Sequence, residues 1–256
     1  MRLPGLLRML PALLFVPLLS GAAKPQLVPD VSQREIQIQY SFVGAELLLF
    51  GAILYPGGRV PDEPADIAVV VRGPVEPIVV REKQKVAGIW MNVESQRFRS
   101  APAFYAVASS RPLSELVDER TAAIYELGLQ NLQLSPGAGV DPEQQRRFEA
   151  GLIDLRRRTS LYFENPRGVE ITERVLYRAH IMIPARVPVG TYTAETFLIQ
   201  NGRVIAGAPR EIRIEKLGFE RFVAMAAERW SLSYGLAAVA LSLFLGWGAS
   251  AIFRRG

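Results

Sequence analysis

Residues 190–209 read GTYTAETFLIQNGRVIAGAP, two extended runs on either side of Asn201 and Gly202. β-Branched and aromatic residues fit a pleated surface, and Asn-Gly readily takes the positive φ angles that close a two-residue hairpin. The stretch predicts two antiparallel strands. Just upstream, RVLYRAHIMIP at 174–184 alternates. Its period of two places Val175, Tyr177, Ala179, Ile181 and Ile183 on a core face, and Arg174, Leu176, Arg178, His180 and Met182 on the other. Working outward, EIQIQYSF (35–42), DIAVVVRG (66–73), PIVVREKQ (77–84), GIWMNVES (88–95), AFYAVASS (103–110) and REIRIEKL (210–217) have the same character. AELLLFGAIL (45–54) is an almost unbroken apolar run and predicts a central strand covered on both sides.

Roughly nine short strands, with turn signals between them, predict a mainly β chain folded as an antiparallel β-sandwich, because parallel pairs need long crossovers. PVGTYTAETFLI, with a turn at Pro188 to Gly190 ahead of Tyr192, resembles the approach to a late strand of immunoglobulin-like domains. One interruption is helical. RPLSELVDERTAAIYELGL (111–129) has Leu113, Leu116, Val117, Ile124 and Leu127 near helical period, Pro112 in a first-turn position and Gly128 at the stop. A second helix is predicted from DPEQQ, with Asp141 as cap, Pro142 at the first helical position and Gln144 completing a capping box. Its apolar stripe is Phe148, Leu152 and Leu155, and Glu143 with Arg147 and Asp154 with Arg158 are spaced for ion pairs. The prediction is a helical hairpin over about 112–158, inserted in the sandwich.

Both ends lie outside this pattern. Residues 1–23 set Arg2 and Arg8 before a short apolar run and small residues, as in a cleavable export signal. Residues 234–253 hold no charge and no proline, and Arg254 and Arg255 follow at once. Their length suits one transmembrane helix, and the positive-inside rule puts the 254–256 tail in the cytoplasm. Between them, 24–215 is the expected periplasmic domain. Residues 216–233, with Phe219, Phe222, Val223, Ala226 and Trp230 at helical spacing, are an expected juxtamembrane amphipathic helix. Together these place the chain in a bacterial inner membrane as a single-pass protein.

Composition narrows the chemistry. The formal net charge of +5 falls to +1 when the four arginines of the two ends are set aside, so a nucleic-acid partner is not expected. The 256 residues include no cysteine and a single histidine, which excludes thiolate metal sites, thiol nucleophiles and multi-histidine centres. No phosphate-binding glycine loop or HExxH occurs, and no catalytic, cofactor or metal residues are assigned. Arg174, Arg178 and His180 form a candidate anion contact on one strand face. Ala238, Ser242, Gly246 and Ser250 recur every four residues and form a candidate helix–helix interface, which implies an integral membrane protein partner besides the lipid bilayer.

With its leader, β-rich exported region and single C-terminal span, and with PVGTYTAETFLIQNG and AELLLFGAIL, the chain resembles an uncharacterised family of alphaproteobacterial transmembrane proteins. The resemblance brings no catalytic residues. It implies a place beside sulfite-exporter-type permeases. The function expected is a membrane-anchored periplasmic binding or interaction module, an accessory subunit of a membrane complex or transporter. Two alternatives are an enzyme acting on envelope polymers through carboxylates such as Glu46, Glu94 and Glu164, and a chaperone-like domain that binds peptides at an open strand edge.

Overall fold

The computed structural model describes residues 24–38, 44–136, 141–216, 223 and 227–253. The expected signal, half of the 216–233 segment and the 254–256 tail lie outside them. The fold is mainly β, with thirteen strands among the described residues. Gln26–Val31 (β1), Gly44–Leu54 (β3), Leu176–Pro184 (β11) and Val169–Thr172 (β10) form one antiparallel sheet in the order β1-β3-β11-β10. A six-stranded sheet runs Glu35–Ile38 (β2), Arg203–Lys216 (β13), Gly190–Gln200 (β12), Asp66–Arg72 (β4), Tyr105–Ser109 (β7) and Tyr162–Pro166 (β9). The third sheet joins Val75–Val86 (β5), Ile89–Pro102 (β6) and the short Ser135–Pro136 (β8).

The opening hairpin forms as its sequence predicts. β12 and β13 pair antiparallel, and Asn201 and Gly202 turn with φ of 51° and 75°. Tyr192 donates its hydroxyl hydrogen to the Pro188 carbonyl, 2.7 Å away, which ties the start of β12 to the preceding turn. The alternation of β11 also holds: Tyr177, Ala179, Ile181 and Ile183 are buried. With Leu47, Leu49 and Ile53 of β3 they face the six-stranded sheet, where Ile67, Val69, Val71, Ala194 and Leu198 complete the core.

Several expectations change. β3 is central in its sheet but covered on one face only: Leu48 is half-buried, and Phe50 and Leu54 are exposed. The strand covered on both sides is β4, where Ile67 to Val71 are all inaccessible to solvent. Its second face lies under the insert. Arg72 Nη2 donates to the Tyr125 carbonyl at 3.2 Å, and the Tyr125 ring meets Phe197 edge-on at 5.4 Å. Nor are all pairs antiparallel. β7 with β9 and β2 with β13 run parallel, and the route from β7 to β9 passes through the insert, the crossover that such a pair requires.

The insert is not a simple helical hairpin. Its first arm breaks into Leu113–Leu116 (α1) and Glu119–Ile124 (α2), because Val117 is extended and Asp118 caps a fresh helix by accepting from the Thr121 N–H at 2.7 Å. Pro142–Arg158 (α3) begins where expected, capped by the Asp141 side chain. Gln144 does not close a capping box; its Nε2 donates to Glu94 at 3.1 Å. Phe148 and Leu152 are buried but Leu155 is exposed, and Arg147 turns from Glu143 to Glu82 and Glu94 on the third sheet. Asp154 and Arg158 do pair, at 2.8 Å.

The third sheet is an extension of the second. The pairing of Arg72 with Tyr105 continues through Gly73 N–H to Phe104 O and Ala103 N–H to Pro74 O, both 2.8 Å, into Val75 opposite Pro102. β4–β5 and β6–β7 are thus one long ribbon whose outer half is an arm. It closes at Ala87 and Gly88, φ of 49° and 87°. At the other end of the chain, Ser231–Phe253 (α4) is helical. Among the described residues no helix is long and apolar enough to cross a membrane; along α4 the side chains are described without a gap only as far as Trp247.

Candidate functional site

His180 lies on a chemically varied surface. It stands on the outer face of β11, and Glu46 stands on the neighbouring β3, one register step away, because His180 pairs with Leu48 and Met182 with Glu46. Their side chains meet with His180 Nδ1 2.7 Å from Glu46 Oε1, and both are about half exposed. With Nδ1 turned to the carboxylate, Nε2 is the ring's second hydrogen-bonding atom. His180 borders a cleft of about 530 Å³ lined by Arg157, Ser160, Phe163, Asn165, Met182 and Pro184, among others.

The other polar groups arrive from the end of the insert. α3 stops at Arg158, and the chain reverses at Ser160, whose φ is 57°, before β9 begins. The three consecutive arginines before this turn point in different directions around the last turn of α3. Arg156 reaches Glu76 at 2.6 Å, Arg158 folds back on Asp154, and Arg157 lines the cleft. A guanidinium, an imidazole held by a carboxylate, a hydroxyl and an amide on one shallow surface suit a small polar or anionic group. Ser160 and His180 share the cleft, but among the described residues no hydrogen bond joins them.

The expected anion strip is only partly assembled. Arg178 and His180 do share the outer face of β11, but Arg174 lies outside that strand with φ of 59°. A tight turn carries it away, and its Nη1 donates to the Asp62 carbonyl at 3.2 Å. Arg157, more than twenty residues upstream, takes the place beside His180. The carboxylates are likewise dispersed. Glu46 holds His180, Glu94 binds Arg147 and Gln144, and Glu164, although it borders the cleft, accepts from the Leu129 N–H at 2.5 Å. Among the described residues no three acidic or histidine side chains are placed to hold a metal ion.

Two further surfaces bear on interaction. The arm exposes Val86, Ile89, Trp90, Met91 and Val93 around its tip, with Ile89 and Trp90 about two-thirds accessible. By its sequence pattern this segment is expected to form two ordinary sandwich strands. Its signal is the consecutive Ile89, Trp90 and Met91, which no one-sided strand would carry. The outer edge of β5 bears Arg81, Glu82, Lys83 and Lys85, with Pro77 and two register shifts along its length, features that blunt an edge against added strands. On α4, Ala238, Ser242, Gly246 and Ser250 are all exposed, and the Ser242 hydroxyl donates to the Ala238 carbonyl at 2.8 Å.

A family model described as "Putative transmembrane protein (Alph_Pro_TM)" matches residues 26–255, from the first strand to the end of α4. The chain belongs to that family. No curated protein matches it. The match covers the β domain, the insert and the C-terminal helix together, so these parts form one family unit rather than a domain with an unrelated tail.

Proposed function

We propose that the chain is a membrane-anchored binding or interaction module, an accessory subunit of a membrane complex or transporter. In this reading α4 is a single span, the β domain is periplasmic and the C-terminus cytoplasmic. The observation that carries the reading is α4 itself. Its described side chains up to Trp247 do not by themselves make a span; counted with the residues that follow, its sequence has 23 residues and no charge, about 35 Å at the α-helical rise. Leu232, Leu236, Leu243 and Trp247 on it are each at least 70% exposed. Burying one such side chain gains about 2 kcal/mol, so a cover is strongly favoured, and a bilayer covers a helix on every side. Membership of a family described as transmembrane supports the same reading.

The two facing sheets and the Tyr192 hydroxyl bonded to Pro188 support an immunoglobulin-like sandwich, since a tyrosine tied back across the turn before a late strand is a hallmark of that fold. The partner is an integral membrane protein, for which a sulfite-exporter-type anion permease is the first candidate. It would pack on the lane of Ala238, Ser242, Gly246 and Ser250. Co-purification in mild detergent tests this. The native chain should recover a polytopic protein, and Ser242→Leu with Gly246→Leu should reduce that recovery severalfold while leaving the chain in the membrane fraction. Unchanged recovery removes the lane, and a chain found free of membranes removes the anchor.

The His180 cleft supports a second reading, an enzyme acting on envelope polymers, with His180 as acid–base group and Arg157 as anion contact. Cells carrying His180→Ala should then show the phenotype of a deletion; wild-type behaviour discards it.

A further inference from the structure

The arm of β5 and β6 leaves the domain at a particular end. β4 is antiparallel to β12, and β12 is antiparallel to β13, so β4 and β13 run in the same direction. The arm continues β4 beyond its C-terminal end, and the chain continues β13 beyond its own C-terminal end towards α4. The two departures are neighbours. Gly190 pairs with Ile214, two residues before the end of β13, and a side chain on Gly190 would meet Pro74 at the root of the arm at 3.1 Å. The root of the arm and the end of β13, from which the sequence leads to the anchor, therefore lie at the same end of the sandwich.

Reach is sufficient. The twelve residues of β5 extend about 40 Å at the β-strand rise. Fourteen residues separate Lys216 from Ser231, a connection of about 21 Å if helical and at most about 50 Å if extended.

Charge is sorted along the arm. Nearer the domain, Glu82 and Glu94 face each other across the two strands, and both carboxylates bind Arg147 of α3. Towards the tip, residues 83–93 contain Lys83 and Lys85 and no acidic residue. There the exposed large apolar side chains are Val86, Ile89, Trp90, Met91 and Val93. Apolar side chains led by a tryptophan, with lysines set just behind them, have the composition of an element that seats at the headgroup boundary of an anionic membrane. The charged, bulged edge of β5 is a poor surface for adding the strand of a second chain.

We infer that the tip of this arm docks on the lipid surface from which α4 enters the bilayer, with Ile89 and Trp90 at headgroup depth and Lys83 and Lys85 on anionic lipid. This rests on the anchored reading above. A two-point attachment would fix the tilt of the β domain over the membrane and so decide which of its faces, the His180 cleft among them, looks away from the lipid.

The absence of cysteine makes the test direct, since a single introduced thiol can be labelled anywhere. The full chain, carrying Ile89→Cys, Leu243→Cys or Ile124→Cys and an environment-sensitive fluorophore, is reconstituted into phosphatidylcholine vesicles with or without a quarter phosphatidylglycerol. Nitroxide-labelled lipids serve as quenchers. Ile124, 64% exposed on the insert, is the aqueous reference. Expected are lipid quenching at 243, at least twofold quenching at 89 in the anionic vesicles, and none at 124. In pure phosphatidylcholine, or with Lys83→Glu and Lys85→Glu, quenching at 89 should fall by half or more. Quenching at 243 without quenching at 89 overturns the arm and spares the anchor. Quenching at 89 alone keeps the arm and overturns the anchor. A blue-shifted, unquenched label at 89 means that a protein covers the tip, and overturns lipid docking.

Discussion

Replacing Tyr105 with phenylalanine tests whether the insert is fastened to the six-stranded sheet by one buried hydroxyl. That oxygen donates to the Glu126 carbonyl at 2.5 Å and accepts from the Gly128 N–H at 3.1 Å. It holds a turn whose Glu126 and Gly128 have φ of 51° and 97°, a backbone shape that gains nothing from regular secondary structure. The phenylalanine ring would keep the packing against Tyr162, 6.2 Å between centroids, so no cavity term arises. What is lost is the pairing of two backbone groups. Glu126 is only half-buried, so water can reach its carbonyl, but Gly128 is buried and its N–H would be orphaned. At about 1–3 kcal/mol for a buried unpaired group and about 1 kcal/mol for an exchangeable one, the change should cost about 2–4 kcal/mol. For a domain of this size that lowers Tm by about 4–16 °C. Thermal unfolding of the full chain in detergent measures it, with hydrogen exchange reporting on residues 127–129. A Tm within 1 °C of wild type, with exchange at Gly128 unchanged, would refute the claim that this bond fastens the insert.

Further outcomes follow from the same packing. Burial raises the pKa of the Tyr105, Tyr162 and Tyr192 hydroxyls well above the ordinary value of about 10. Their contribution to stability is therefore complete below pH 10 and is lost as pH rises beyond it, where the unfolded chain releases protons that the folded one keeps. In an alkaline titration these three should give no tyrosinate absorbance until circular dichroism shows unfolding; ionisation in the folded state would contradict their burial. Gly51→Ala should destabilise by at least about 2 kcal/mol, because the new methyl would lie 2.5 Å from both the Tyr177 hydroxyl and the Val28 carbonyl, and the latter is backbone and cannot yield. A denaturation midpoint equal to wild type would show that β1 is not held where it is seen.

The part of this fold written in local pattern was legible. Alternation in 174–184 named the buried face of β11 residue by residue, and Asn201-Gly202 named its turn, because each depends only on neighbours in the chain. What depended on tertiary cover was not legible. The apolar run at 45–54 looks buried on both sides, yet the cover went to Asp66–Arg72, since the insert folds over β4 and leaves the outer face of β3 bare. The site shows the same division. His180 and Arg178 could be placed on one face by period. Arg157 could not be placed beside His180, because it lies on the last turn of α3 and reaches the cleft only through the packing of the insert, and Arg174 is removed by a turn of its own.

The arm shows why a strand reading can be right and its meaning wrong. PIVVREKQ and GIWMNVES do form strands, and a sandwich was the natural place to put them. A strand packed on one face, however, must confine its large apolar residues to alternate positions. Ile89, Trp90 and Met91 violate that, while Arg81, Glu82, Lys83 and Lys85 place charges on both faces of the partner strand. A ribbon with charges on both faces along its length and apolar groups on both faces at its tip has no inner side. It can only project, and a projecting ribbon is held by its base: here by register continuity with β4 and β7 and by Arg147, which binds two carboxylates that would otherwise repel each other across the strands. The domain thus stiffens the arm where it leaves the sheet and leaves its apolar end uncovered, an arrangement that makes sense only if something outside the domain covers it.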